Sequence, residues 1–295
     1  GLGLNSKKGK VMNIDKNEQE IIKNAINKCF VSMSKNCLEL RPRERFYGIL
    51  SSKNCLLMIL IILTILGYTV YRTNTLSDDE LPPLIMVVII TSCSLILIVE
   101  YAFISRITTL SNIVINRKTR MYYAYYNNKK YINDIDDVII SGGAKTMISL
   151  HHRGKNGVVL TKNIEIDDEY NIKIITDYIK QFIRDGQSTL PIPTKLDWID
   201  LGSANISLSP CKALRHYAPW PFCAKIVDPT EKAIKIYLWP LYTFIMFPIN
   251  IFFALIWYPF TKIFNIKPHP VPEEAYEGDD SIRITPEMAA KGIRP

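Results

Sequence analysis

The chain has 295 residues, a net charge of +8, and charged residues make up 22% of it. That length has room for one or two ordinary domains. The basic excess is no sign of nucleic-acid binding, because the bases are scattered among acids and form no binding motif. It is read instead as juxtamembrane attraction to anionic lipid, worth about 1 kcal/mol per base near the surface.

Three blocks, 54–71, 81–99 and 236–261, carry no charged side chain and run for 18, 19 and 26 residues. At about 1.5 Å per residue, 18 to 20 residues cross a hydrocarbon core of roughly 30 Å, and in lipid they must be helices. Core helices of soluble proteins keep a polar stripe. The run CLLMILIILTILGY has none.

Taken in chain order, residues 1–53 form an N-terminal segment whose first eleven residues read as a flexible leader or tag remnant, with Met12 as a candidate start. Asp15 and Glu18 resemble a capping box. Ile22, Ile26, Cys29, Phe30, Met33 and Cys37 then fall on one face of an amphipathic helix that Arg41-Pro42 ends. Residues 54–105 read as a transmembrane hairpin. Residues 1–53 hold 11 bases and 5 acids, whereas the loop 72–80 holds one base and three acids. Positive flanks stay inside, so both ends of the hairpin are expected in the cytoplasm.

From 106 to 186 the pattern changes. Short β-branched or aromatic runs at 113–115, 121–126, 131–132, 138–141, 146–152 and 158–166 are separated by Asn127-Asn128, Gly142-Gly143 and the turn 154–157. A helix capped by Asp167 or Asp168 follows, with Ile172, Ile175, Ile179, Phe182 and Ile183 as its apolar stripe, and Asp185-Gly186 stops it. Residues 187–235 are Pro-rich and irregular. In the block 236–261, Pro240, Pro248 and Pro259 bend any helix. Trp239 and Trp257 lie 18 residues apart, about 27 Å along a helix, a spacing that suits opposite aromatic belts. A kinked span would put the tail 262–295 outside; a re-entrant turn near Pro248 would keep it inside. The acidic tail favours the span, and the tail reads as extended or disordered.

No residue set carries recognisable chemistry. His151 and His152 are adjacent in a strand and point to opposite faces, so they cannot share a metal from it. Cys211, His216 and Cys223 match no standard zinc spacing. No nucleophile elbow and no phosphate-binding loop occurs. No catalytic residue, metal ligand or cofactor is expected. Two groups are singled out instead. The hairpin 142–163 is basic and polar, and its Lys145, His151, His152, Arg153, Lys155, Asn156 and Lys162 are candidates for partner binding. Arg215, His216, Tyr217, Trp220, Trp239 and Trp257 are candidate membrane-interface residues.

The order of a hairpin, the opening IVINRKTRMYYAYY, serial strands and a closing helix resembles the pleckstrin-homology-like domains that bacteria attach to a transmembrane hairpin. The resemblance covers about residues 55–184. The whole chain also resembles a proteobacterial multi-pass membrane family. The match lies in Asn116-Arg117-Lys118 with Tyr122 and Tyr123, Trp198 to Leu201, the specific stretch from Pro210 to Phe222, and Trp239 to Leu241. Such proteins resemble those encoded beside type VI secretion effectors and self-recognition systems.

The expected fold is therefore an α+β membrane protein: a transmembrane helical hairpin, a small antiparallel β-domain closed by an amphipathic helix, and a third Pro-kinked membrane segment. The resemblance implies a non-enzymatic inner-membrane recognition or immunity protein that binds a cognate secreted effector or self-recognition protein. Membrane lipids are the other expected partner, no nucleic acid is expected, and homo-oligomerisation stays open. A membrane-inserting effector and a lipid-sensing module are the alternatives.

Overall fold

The structure, a computed structural model, describes residues 16–76, 83–143, 145–154, 156–166, 172–194, 209–225 and 229–295. The N-terminal helix α1 (Lys16–Ile26) is shorter than its sequence pattern suggests. Past Ile26 the chain turns into two strands, β1 (Phe30–Met33) and β2 (Cys37–Leu40). The helical spacing through Cys37 is satisfied only by coincidence. Leu38 and Leu40 alternate with the half-buried Glu39, and β2 finds a partner strand that local pattern cannot reveal.

That partner lies beyond two long helices. Helix α2 (Arg43–Leu76) begins directly after β2, and α3 (Pro83–Thr108) runs back beside it. Ser52 bonds Glu100, and Ile49 packs on Ile107, so the two helices are antiparallel. Five residues after α3 the chain enters β3 (Ile113–Asn116), which pairs with β2 in the register Cys37–Asn116, Leu38–Ile115, Glu39–Val114 and Leu40–Ile113. Strands β4 (Met121–Tyr126) and β5 (Lys129–Asp134) complete a five-stranded antiparallel sheet in the order β1-β2-β3-β4-β5. Asn127 and Asn128 turn the β4–β5 hairpin with φ of 48° and 58°. Asn tolerates the left-handed region that such a two-residue turn requires.

Strands β6 (Ile139–Gly142), β7 (Thr146–Arg153) and β8 (Val159–Glu165) form a second antiparallel sheet. Helix α4 (Ile172–Asp185) closes the domain. Ile175, Ile179 and Phe182 of its expected stripe are buried, with Tyr178 beside them. Its expected cap at Asp167 or Asp168 lies outside the described residues. One core joins both sheets, α1 and α4: Leu38, Leu40, Ile115, Tyr122, Ile148, Leu150, Ile164 and Phe182 are all at most 2% exposed. The domain thus draws on residues on both sides of the α2–α3 pair and reaches beyond 106–186.

Downstream come α5 (Pro210–Tyr217), α6 (Pro229–Tyr237) and α7 (Trp239–Ile263). The prolines leave their mark on α7. Its Tyr242–Met246 stretch is π-helical, and Pro248 opens the regular part that follows. Among the described residues three helices are long and apolar enough to cross a membrane: Arg43–Thr75, Leu84–Thr108 and Trp239–Ile263. Little of their surface is covered by protein; Ile65, Leu84, Ile98 and Phe244 are all more than half exposed.

The tail corrects an expectation. It is ordered, and it docks on the five-stranded sheet. Trp257 and Ile266 pack against Ile49 and Ile107, bringing the end of α7 to the base of the α2–α3 pair. Beyond it the His269 ring lies 4.2 Å from that of Tyr125, Lys130 pairs with Glu274, and the Asn116 amide donates to Ala275 O at 3.1 Å and Glu277 O at 3.0 Å. Ile284 bridges Met33, and α8 (Pro286–Ala290) sets Ala289 into the core. The tail and the β-domain therefore share one end of the molecule. Composition misleads here because two of the acids that suggest disorder, Glu274 and Asp279, are held by fixed partners. Hydrogen-bonded Lys130 holds the Glu274 carboxyl below its ordinary range. Burial pushes the Asp279 carboxyl up, but hydrogen bonds from Ser281 and Ser34 outweigh it and hold it low.

Candidate functional site

Two places gather polar side chains of consequence: the β7–β8 hairpin and the junction where helices enter the β-domain. In the hairpin, the residues singled out from sequence divide into two groups. Lys145 pairs with Glu165 at 3.3 Å and stands 5.6 Å over the Tyr47 ring. Lys162 pairs with Glu44 at 3.3 Å and stands 4.2 Å over Tyr126. Both lysines tie the small sheet to the first turn of α2, so they fasten the domain and do not present a charge to solvent. His152 Nδ1 lies 2.7 Å from Lys130 O, and its ring packs by Tyr131. His151 Nδ1 lies 2.9 Å from Thr161 Oγ1, while its backbone N–H donates to Asn133 Oδ1. Arg153 and Asn156 face solvent. Lys155 lies outside the described residues.

The junction was not singled out by sequence pattern. Arg45, at 5% exposure, donates to Asn112 Oδ1 at 2.6 Å and to Leu110 O at 3.0 Å. Asn112 passes the connection on to Glu39, which also accepts from Ser32 and from the Tyr276 hydroxyl at 2.8 Å. A single chain of hydrogen bonds thus links α2, the connection between α3 and β3, β1, β2 and the tail. Burial, with Glu39 beside it, raises the Tyr276 hydroxyl above its usual range, so it stays a donor. Two turns further along α2, Ser52 donates to Glu100, whose second oxygen is buried without a hydrogen-bond partner. Sequence reading ended the second span at Glu100 or shortly after, near Arg106, and α3 runs to Thr108. The signal that could have found Glu100 is the apolar run YAFI that follows it: an acid flanked on both sides by apolar helix must turn toward a polar neighbour.

The expected interface residues assemble in part. Trp220 and Trp239 lie 6.2 Å apart, and both are nearly half exposed. His216 and Tyr217 pack edge to face, and fully buried Lys235 donates to His216 O at 3.0 Å while standing 4.8 Å over Tyr242. Arg215 is exposed on the same helix. Trp257 departs from the expectation. It is 2% exposed, packed against Ile49, Ile107 and Ile266, with Lys53 Nζ 5.8 Å from its ring. An indole held there meets protein and does not form an aromatic belt.

Among the described residues no group of three or more His, Cys, Asp or Glu side chains is placed to grip a metal ion. A polar cleft of about 340 Å³ lies between α1, residues 187–192 and the C-terminal Arg294 and Pro295. Comparison with family models, with curated proteins and with solved structures returned no match.

Proposed function

We propose that this chain is a non-enzymatic, multi-pass protein of a bacterial inner membrane that recognises a cognate secreted effector or self-recognition protein in interbacterial competition. The α2–α3 pair is a transmembrane hairpin with its base, the pleckstrin-homology-like β-domain and the N-terminus in the cytoplasm. The surplus of bases in residues 1–53 over the loop 72–80 supports that orientation.

The observation that carries the reading is the fastening of the small sheet to the helix pair. Lys162–Glu44 and the placing of Lys145 over Tyr47 hold β6, β7 and β8 at a set position beside α2. Their outward face then presents Ile139, Thr161 and Asn163, all exposed, on a rigid support. Recognition residues commonly sit on loops and faces held in this way. The test is co-expression with effectors encoded beside the gene. The intact chain should protect cells and co-purify with one of them from membranes. Replacing Thr161 and Asn163 with Arg should abolish both while the chain stays in the membrane. Unchanged protection by that variant would overturn the assignment of the face.

A further inference from the structure

The turn of the β7–β8 hairpin, Gly154 to Gly157, has ordinary turn residues, but the strand end that leaves it does not follow suit. Val158, Val159 and Leu160 are consecutive and 59%, 52% and 38% exposed. Apolar side chains in sequence on an exposed strand end invite aggregation unless something covers them.

The fold says which way this end points. The β4–β5 turn sits on the end of α3: Thr109 Oγ1 meets Asn127 Oδ1 at 3.3 Å, and Leu110 bridges Tyr126. His152 lies against Lys130, so β7 reaches its end beside the first residues of β5. Strand β8 runs back from that end, and Ile166 just beyond it bridges Pro42, at the foot of α2. The hairpin end and the helices therefore leave the β-domain on the same side. From Lys162, anchored on Glu44, to Val158 is four residues, about 13 Å at roughly 3.3 Å per residue. From Glu44 to Asn54, where the charge-free stretch of α2 begins, is ten residues, about 15 Å at roughly 1.5 Å per residue. The two rises are comparable. Lys129 and Arg153 flank the hairpin end, both exposed and neither in an ion pair among the described residues.

We propose that Val158, Val159 and Leu160 enter the headgroup–acyl boundary of the bilayer, with Lys129 and Arg153 at the level of anionic lipid phosphates. The inference rests on the reading that α2 and α3 cross the membrane. The hairpin end is a second contact with the same bilayer, and it fixes the tilt of the β-domain relative to the membrane plane. The occupant is an anionic phospholipid surface, which supplies both the apolar layer for the valines and the negative charge for the two bases.

The full-length chain is reconstituted in vesicles of phosphatidylcholine with phosphatidylglycerol, carrying the photoreactive residue p-benzoylphenylalanine at Val159, at Leu63 in α2, or at Ile282 at the opposite end of the domain. After irradiation, intact-mass spectrometry reads the lipid adduct. The expected result is lipid adduct at Val159 and Leu63, background at Ile282, and a fall of severalfold at Val159 alone when phosphatidylglycerol is omitted. Adduct at Leu63 with none at Val159 overturns the inference and leaves the spanning reading standing. A protein–protein adduct at Val159 in place of lipid overturns it as well. No lipid adduct at Leu63 overturns the spanning reading, and the inference falls with it.

Discussion

Asn116 stands at the end of β3 with no exposure, and its amide is used in full. Its nitrogen donates to Ala275 O and Glu277 O, and its oxygen accepts from the N–H groups of Lys118 and Thr119. One side chain thus closes the β3–β4 turn and pins the tail. Removing it strands buried backbone groups, at about 1–3 kcal/mol for each one left without a partner. Asn116→Ala is therefore expected to loosen the tail by about 3 kcal/mol. Cys37 supplies the readout. Its thiol lies under the tail, donating to Ala275 O at 3.7 Å. Burial pushes the thiol up to about 12, with the Asp279 charge adding to the effect. A water-soluble maleimide should label exposed Cys211 and spare Cys37 in the parent chain, and label both in the variant. Equal protection of Cys37 in the two chains would show that the tail is held by something else.

The elements differ in how plainly the sequence announces them. Strands β3 to β8 and helix α4 are legible because most of their partners are local: short β-branched or aromatic runs show the strands, and Asn127-Asn128 and the glycines at 142–143 and 154–157 mark three of the reversals. The pair β1–β2 is hidden because Leu38 meets Ile115, 77 positions away (115 − 38), and nothing nearby distinguishes the strand from a helix face. The tail is hidden for the same reason, since Asn116 and Ala275 are 159 positions apart. In the candidate site, the polarity of the β7–β8 hairpin is visible in sequence, but not that Lys145 and Lys162 are spent on α2. The junction around Arg45 and Glu39 is invisible, since it exists only once β2 and β3 are side by side. That β1–β2 belongs to the domain core is open to direct measurement. Leu38→Ala should cost about 2–5 kcal/mol, as expected for a fully buried leucine. It should lower the melting temperature of the whole β-domain about as far as Leu150→Ala does. A domain melt unmoved by Leu38→Ala would place the N-terminal hairpin outside the core.

At the scale of the whole molecule, three long apolar helices meet the β-domain at one end, and the tail returns to it. The base of α2, the end of α3 and the end of α7 converge on Ile49, Ile107, Trp257 and Ile266. In a bilayer this geometry puts the C-terminus on the same side as the β-domain. A fluorescent protein fused after Pro295 should fluoresce in cells, and alkaline phosphatase placed between residues 77 and 82 should be active. Active phosphatase at both positions would contradict the docking of the tail.

The pairing of β2 with β3 also imposes an order in time. Strand β2 leaves the ribosome before either long helix, and its partner leaves only after both. The five-stranded sheet cannot close during the interval, whatever the propensity of its strands. If the helices cross a bilayer, β2 and β3 meet only when both crossings have been made and both feet stand on one face. A chain with one crossing missed would keep the two strands apart, with Leu38, Leu40, Ile113 and Ile115 uncovered. Closure of the sheet is then a proofreading step for insertion: a correctly threaded chain hides its core, and a misthreaded one exposes it to quality-control proteases.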